Sequence, residues 1–139
     1  MWQNNVVVVT WFKLEDDPMS VSPYQSGFFQ TNGARKRSFT AFRFPVVALK
    51  RSNGVYVWGR TPTSRAASVV VDIKVGSRWR RLGTLRAGSS GIFQKTFRTP
   101  YRKGSVRARA VRETSLPFSL AYVKDRYVNP FGCGGGIPC

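Results

Sequence analysis

Histidine is absent from this 139-residue sequence, and acidic side chains are scarce: 6 aspartates and glutamates stand against 23 lysines and arginines. Without imidazole, nucleophile–base pairs of the Ser-His or Cys-His kind are excluded. Cysteine is also rare, with 2 residues, Cys133 and Cys139, and two sulfurs without a histidine cannot complete a tetrahedral zinc site. They read either as a small disulfide ring, in keeping with secretion, or as two free thiols in an irregular tail. No apolar run approaches the ~20 residues that cross a bilayer as a helix, so no membrane span is expected. No Gly-x-x-x-x-Gly-Lys phosphate loop occurs, and Gly134 to Gly136 lack the strand and helix such a loop needs. Met1 leads directly into Trp2-Gln3-Asn4-Asn5, without the charged segment, apolar core and cleavage site of a signal peptide. The inventory calls for no cofactor.

What the chain has in excess is positive charge. Its formal net charge is +17, and the basic residues, mostly arginine, gather after residue 35. A field of this sign favours nucleic acid, acidic polysaccharide or an anionic membrane surface as partner. An arginine-rich surface inherited from biased codon usage is the alternative. The acidic residues run the other way: Glu15, Asp16 and Asp17 crowd into one short stretch before Pro18.

Just before that stretch, Val6-Val7-Val8-Val9-Thr10-Trp11-Phe12 is short and continuously apolar, the pattern of a strand buried on both faces. Such a strand needs a parallel sheet around it, so it reads as the last strand of a larger body, with Glu15 to Asn32 as the long loop that leaves it. Pro18 and Pro23 deny that loop regular hydrogen bonding, while Tyr24, Phe28 and Phe29 argue that it packs onto something. Arg35 to Phe44 reads as a short helix with Phe39, Ala41, Phe42 and Phe44 on its apolar face, closed by Pro45.

From Val46 the period changes to that of short strands. Val46 to Lys50 leads through Ser52-Asn53-Gly54, with Asn-Gly as a tight-turn signal, into Val55 to Arg60. Val69, Val71, Ile73 and Val75 alternate with Val70, Asp72 and Lys74, which sets one face in a core and the other in water. Gly76-Ser77 is a two-residue hairpin turn, and the slipped alternation between Trp79 and Leu82 predicts a bulge near Arg81. Phe93 and Phe97 are expected inward with Lys95 outward. Val106, Ala108 and Ala110 alternate with Arg107 and Arg109, and Phe118, Leu120 and Tyr122 line the last strand. The expected core is Val71, Ile73, Trp79, Phe93, Phe97, Val106 and Phe118. Seven such strands make a mainly β chain and an immunoglobulin-like antiparallel β-sandwich the first choice.

Several motifs fall in an order that carries a resemblance. Val9-Thr10-Trp11-Phe12-Lys13-Leu14-Glu15-Asp16-Asp17-Pro18, then Ser22-Pro23-Tyr24-Gln25-Ser26-Gly27-Phe28, then Ala41-Phe42-Arg43-Phe44-Pro45 resemble the end of the catalytic TIM barrel in a group of bacterial glycoside hydrolases. Gly54-Val55-Tyr56-Val57-Trp58-Gly59-Arg60-Thr61-Pro62, with Leu116-Pro117-Phe118-Ser119 and Asn129-Pro130-Phe131-Gly132, resembles the β-sandwich that follows that barrel. The resemblance implies residues 1–45 as a barrel remnant of one strand, loop and short helix, 46–123 as the sandwich, and 124–139 as an irregular tail. It implies a secreted or cell-envelope setting and a carbohydrate partner for the intact enzyme. Carried over position by position, it makes Trp11 a sugar-stacking platform, Asp16 a cleft residue and Gln25 a rim residue.

Glycoside hydrolysis needs two carboxyl groups roughly 5 to 9 Å apart across the scissile bond. Glu15, Asp16 and Asp17 are neighbours on one loop, and in the resembled enzymes the catalytic pair comes from earlier barrel strands. No catalytic residue is therefore expected here. Three functions stay open: the C-terminal part of a carbohydrate-cleaving enzyme, a basic module, or a structural spacer. The basic module would grip an anionic polymer with Arg78, Arg80, Arg81, Arg107 and Arg109, with Trp58 or Tyr56 as stacking surface.

Overall fold

The computed structural model of the chain describes residues 13–121. The expected strand at 6–12 with Trp11, the end of the last strand at Tyr122, and the tail with Cys133 and Cys139 lie outside the described residues. Among the described residues one helix, α1 (Arg37–Arg43), precedes eight strands: β1 (Val46–Arg51), β2 (Gly54–Arg60), β3 (Ser68–Val75), β4 (Arg78–Arg86), β5 (Ile92–Arg98), β6 (Ser105–Ala110), β7 (Glu113–Thr114) and β8 (Phe118–Ser119). They form two sheets, one ordered β1-β2-β5 and the other β4-β3-β6-β7, with β8 also paired to β6. Every strand pair is antiparallel. The chain is thus a mainly β antiparallel sandwich, and its passages from β2 to β3, β4 to β5 and β5 to β6 cross between sheets, as an immunoglobulin-like sandwich requires.

The period-2 pattern explains the core. Val69, Val71 and Ile73 of β3, Val106, Ala108 and Ala110 of β6, Val55 and Val57 of β2, Ala48 of β1, and Phe93 and Phe97 of β5 are buried together with Leu120, while Phe118 packs against them. Fully burying such side chains stabilises by roughly 1.5 to 3 kcal/mol each relative to exposure. Val75 and Arg78 close the β3–β4 hairpin around Gly76-Ser77. Gly76 takes φ 59°, the left-handed backbone that a II′ turn asks of its first central residue. The bulge is present as well: Val71 faces Gly83 but Asp72 faces Arg81, so Leu82 is the extra residue.

The departures from the sequence pattern have physical reasons. Asn53-Gly54 is not the turn pair; Ser52-Asn53 span the turn and Gly54 opens β2 opposite Arg51 and Arg98. Glycine is needed there because a Cβ would stand 2.0 Å from the Phe97 carbonyl oxygen. Trp79 is not a core residue. It pairs across the strands with Lys74, on the face opposite Ile73, and the Arg107 guanidinium stacks 4.0 Å from its ring centroid. Lys95 does not point away from Phe93 and Phe97 but shares their side of edge strand β5, exposed, with its ammonium 5.6 Å from the Phe97 ring centroid.

Segment 13–44 has no strand of its own among the described residues. Isolated bridges join Phe29 to Glu15 and to Arg35, and Phe28 and Phe29 both donate their N–H groups to the Leu14 carbonyl, at 2.8 and 2.9 Å. Phe28 is buried under Phe39 and Phe42, with centroids at 6.2 and 5.2 Å, and Phe29 stacks on Phe39 at 5.1 Å. No residue of α1 itself is buried. Phe44, the residue after it, is only 1% exposed and meets Phe93 edge-on at 6.5 Å. It therefore belongs to the sandwich core, one position upstream of Pro45.

Candidate functional site

Two places gather polar chemistry. The first is the acidic loop. Chain reversal between Leu14 and Phe28 brings residue 16 beside residue 27, and Asp16 Oδ1 accepts the Gly27 N–H at 2.8 Å. A Cβ on residue 27 would lie 2.8 Å from the Asp16 nitrogen, so only glycine lets the two segments close. Lys36 Nζ reaches the same carboxylate, 2.8 Å from Oδ1 and 2.6 Å from Oδ2, and also donates to the Gln25 carbonyl at 2.8 Å. The Gln25 side-chain amide turns back into the loop, donating to the Asp17 and Ser22 carbonyls at 3.1 and 3.2 Å.

Asp16 and Gln25 are therefore brought together, through Lys36. Sequence reasoning missed that lysine because it stands inside Arg35-Lys36-Arg37, where nothing separates it from a solvated charge run. Asp16 is held below the usual carboxylate range, first by the Lys36 hydrogen bond and then by the Gly27 N–H, against the opposing effect of its burial. Asp17 pairs with Lys13, and Glu15 is exposed. A shallow hollow lined by Lys13, Asp17, Ser22, Tyr24 and Ser26 lies beside the cluster. Trp11, the expected stacking platform, is outside the described residues.

The second place is the outer face of the β4-β3-β6-β7 sheet. Its cross-strand register sets out rows: Trp79, Lys74 and Ser105; then Arg81, Asp72 and Arg107; then Thr84, Val70, Arg109 and Thr114; then Arg86 and Ser68. Asp72 is 3% exposed although it faces outward, because two arginines close over it. Arg109 donates from Nε to Oδ2 at 2.7 Å and from Nη2 to Oδ1 at 3.3 Å, and Arg107 from Nε to Oδ2 at 3.3 Å. The carboxylate raises the Arg109 pKa further above its already high value, chiefly through that hydrogen bond.

Of the five arginines expected to act together, Arg81, Arg107 and Arg109 share this face. Arg78 and Arg80 do not. They pair with Val75 and Ile73 on the opposite side of the sheet, and Arg80 instead lies 6.0 Å from the Tyr101 ring centroid. Lys74, Arg86, Trp79 and Asp72 complete the face; Asp72 and Lys74 were expected outward from the alternation of β3 but not as part of a binding surface, and Trp79 was expected in the core because the bulge at Leu82 breaks the period of β4. The expected stacking residues lie elsewhere, on the other sheet. Trp58 is 7% exposed and cannot offer a ring face. Tyr56 donates its hydroxyl to Gln94 at 2.9 Å and carries Arg51 at 5.5 Å from its ring centroid.

A further ion pair joins the two parts of the chain. Arg43, the last residue of α1, forks onto Glu113 of β7, with Nη2 2.9 Å from Oε1 and Nε 3.1 Å from Oε2. Glu113 is held below, and Arg43 above, its ordinary pKa by that contact. Compared with known protein families, curated proteins and solved structures, the chain matches none.

Proposed function

We propose that the chain is the C-terminal part of a secreted carbohydrate-cleaving glycoside hydrolase, with residues 46–121 as its non-catalytic β-sandwich and segment 13–44 as the rim of its catalytic barrel. The observation that carries this reading is the distribution of uncovered apolar side chains. Leu14, Met19, Val21, Tyr24 and Phe42 are exposed in the first segment, whereas the sandwich leaves only Ile92 and Val111 of that class exposed. Exposed apolar groups concentrated in one stretch mark a surface made to be covered. The three motif pieces that carry the resemblance also meet in space: Asp16 bonds Gly27, Lys36 bridges Asp16 to Gln25, and Phe28 packs on Phe42.

Four of the five described carboxylates are structural in this reading. Asp16, Asp17, Asp72 and Glu113 each face a lysine or arginine, which leaves the exposed Glu15 alone and no opposed pair among the described residues to serve as acid and nucleophile. The purified chain should hydrolyse neither aryl glycosides nor polysaccharides, and turnover abolished by Asp16→Asn would make the loop an active site in its own right. The decisive experiment is immunodetection in culture medium of the source organism with serum raised against the chain. A species larger by about 200 residues or more, a TIM barrel of about 250 less the barrel segment already in this chain, with glycosidase activity in the precipitate is expected. A species of 15.6 kDa alone, the mass of the chain itself, would overturn the reading.

A further inference from the structure

We propose that the outer face of the β4-β3-β6 sheet is a binding surface for an anionic polysaccharide, one carrying carboxylate or sulfate groups along its length. Lys74, Arg81, Arg86, Arg107 and Arg109 all occupy outward positions there, and among the described residues Asp72 is the only acidic one in those rows. Lys74, Arg81 and Arg86 are exposed. Successive rows are about 7 Å apart along a strand and neighbouring strands about 4.8 Å apart, so the cations form a lattice rather than a point. An extended, repeating anion matches such a lattice better than a small molecule does.

Asp72 makes the face a built one. Its buried carboxylate binds the Nε edges of Arg107 and Arg109, and the Trp79 ring holds the plane of Arg107 from one side. Guanidinium groups fixed this way are pre-organised to receive a carboxylate or sulfate in fork geometry, with less rotamer entropy lost on binding. One buried acid against five cations leaves the surface strongly positive. Single-stranded nucleic acid is read by stacking bases on open aromatic rings. Here the one aromatic ring in these rows already has Arg107 on it, and Trp58 lies buried on the other sheet, so a glycan is favoured over a nucleic acid. That the polymer is a glycan also rests on the carbohydrate reading above; the cationic lattice does not.

The test measures binding of the full chain to polygalacturonate, with neutral β-glucan and a single-stranded oligodeoxynucleotide alongside, across a range of salt. The double variant Lys74→Ala/Arg81→Ala should weaken polygalacturonate binding about ten-fold or more, because each lost contact is charge-assisted. It should also flatten the salt dependence. Lys50→Ala/Lys103→Ala removes the same charge elsewhere and should cost no more than about two-fold, the effect of diffuse field alone. Arg107→Lys keeps the charge but loses the fork and the stack, and should weaken binding several-fold while the thermal midpoint shows that the fold is kept.

Equal losses for the two double variants, or wild-type affinity for Arg107→Lys, would overturn the site in favour of unspecific charge. Absence of polygalacturonate binding, or equal binding of neutral glucan, would overturn it too. Tighter binding of the oligonucleotide with the same sensitivity to Lys74 and Arg81 would assign the face to nucleic acid instead. None of these outcomes depends on the size of the secreted species, so this proposal and the enzyme reading fail separately.

Discussion

Segment 13–44 and the sandwich that follows it are held together by different forces. The sandwich is closed by apolar burial: Val55, Val57, Val69, Val71, Ile73 and Val106 are without exposed surface, and the strands that carry them alternate as the core demands. The first segment has few buried apolar groups and is stapled instead by one carboxylate, one lysine and four stacked phenylalanines. Burial of this kind is cooperative and tolerant of conditions, whereas a polar staple depends on both partners and on pH. Phe44, Pro45 and the Arg43–Glu113 pair tie one part to the other.

The comparison breaks most sharply at Phe44. A chain beginning at Phe44 and one beginning at Val46 differ by two residues, one of them a buried core aromatic. Losing that ring costs about 3 to 5 kcal/mol, as for a core Phe→Ala change. Urea titrations should show cooperative unfolding for the longer chain and a midpoint lower by a large margin for the shorter. Equal midpoints would mean that Phe44 merely rests on the sandwich.

Next in size is Asp16→Asn. It removes the charge that Lys36 and the Gly27 N–H share, while leaving the sandwich core untouched. Protease cleavage between Met19 and Gln25 should accelerate about ten-fold or more, with the thermal midpoint of the sandwich moved by no more than about 2 °C, since local opening and global unfolding are separate events. A parallel loss in both readouts would show the two parts to be one cooperative unit.

The pH dependence is smaller and follows from the depressed carboxyls of Asp16 and Glu113. Their folded-state pKa values lie below the unfolded ones, near 3.9 for Asp and about 4.3 for Glu. In the interval between, the unfolded chain binds more protons, so the stabilisation is fully present above the unfolded values and is lost as pH falls through the folded ones. With no histidine in the sequence, circular dichroism melts should be flat from about pH 5 to 7. They should fall below about pH 4, less so in Lys36→Ala, which lacks the Asp16 share.

The smallest expected change is a gain. Val111 and Arg112 link β6 to β7 with φ of 51° and 62°, left-handed values that cost an L-residue with a Cβ about 1 to 2 kcal/mol each. Val111→Asn/Arg112→Gly supplies the residues such a turn prefers and should raise the sandwich midpoint by a few degrees. An unchanged midpoint would place that turn's strain in contacts with Glu113 rather than in its backbone.

Much of the sandwich was legible because its signal is local. Alternation located β1 to β6, Gly76-Ser77 fixed a hairpin, and the slip after Trp79 announced the bulge. The bulge also explains the misplacement of Trp79: an extra residue at Leu82 reverses which side the earlier residues take, and an indole can be covered by an arginine as well as by a core. Phe44 was assigned to a helix face because its contact with Phe93 spans the chain and leaves no periodic trace. The acidic loop was legible as chemistry but not as architecture. Asp16 stood out through its neighbours, yet its partner Lys36 lies 20 positions on, and nothing in either residue's surroundings encodes that reach. The cationic face was half legible: the alternation of β6 gave Arg107 and Arg109, but Asp72, which orients both, looked like one more wet residue.

Lys95 has one more consequence. Strand β5 ends its sheet, so its outer backbone groups are a template on which a strand from another molecule could grow. A newcomer would extend the apolar interior past Phe93 and Phe97 and enclose the ammonium between them, a charge with no ion-pair partner among the described residues. Burying an unpaired charge is prohibitively costly. On the other sheet the bulge in β4 kinks the corresponding border and spoils its register for the same purpose. At the β5 border a single lysine on the inner side thus works against strand addition.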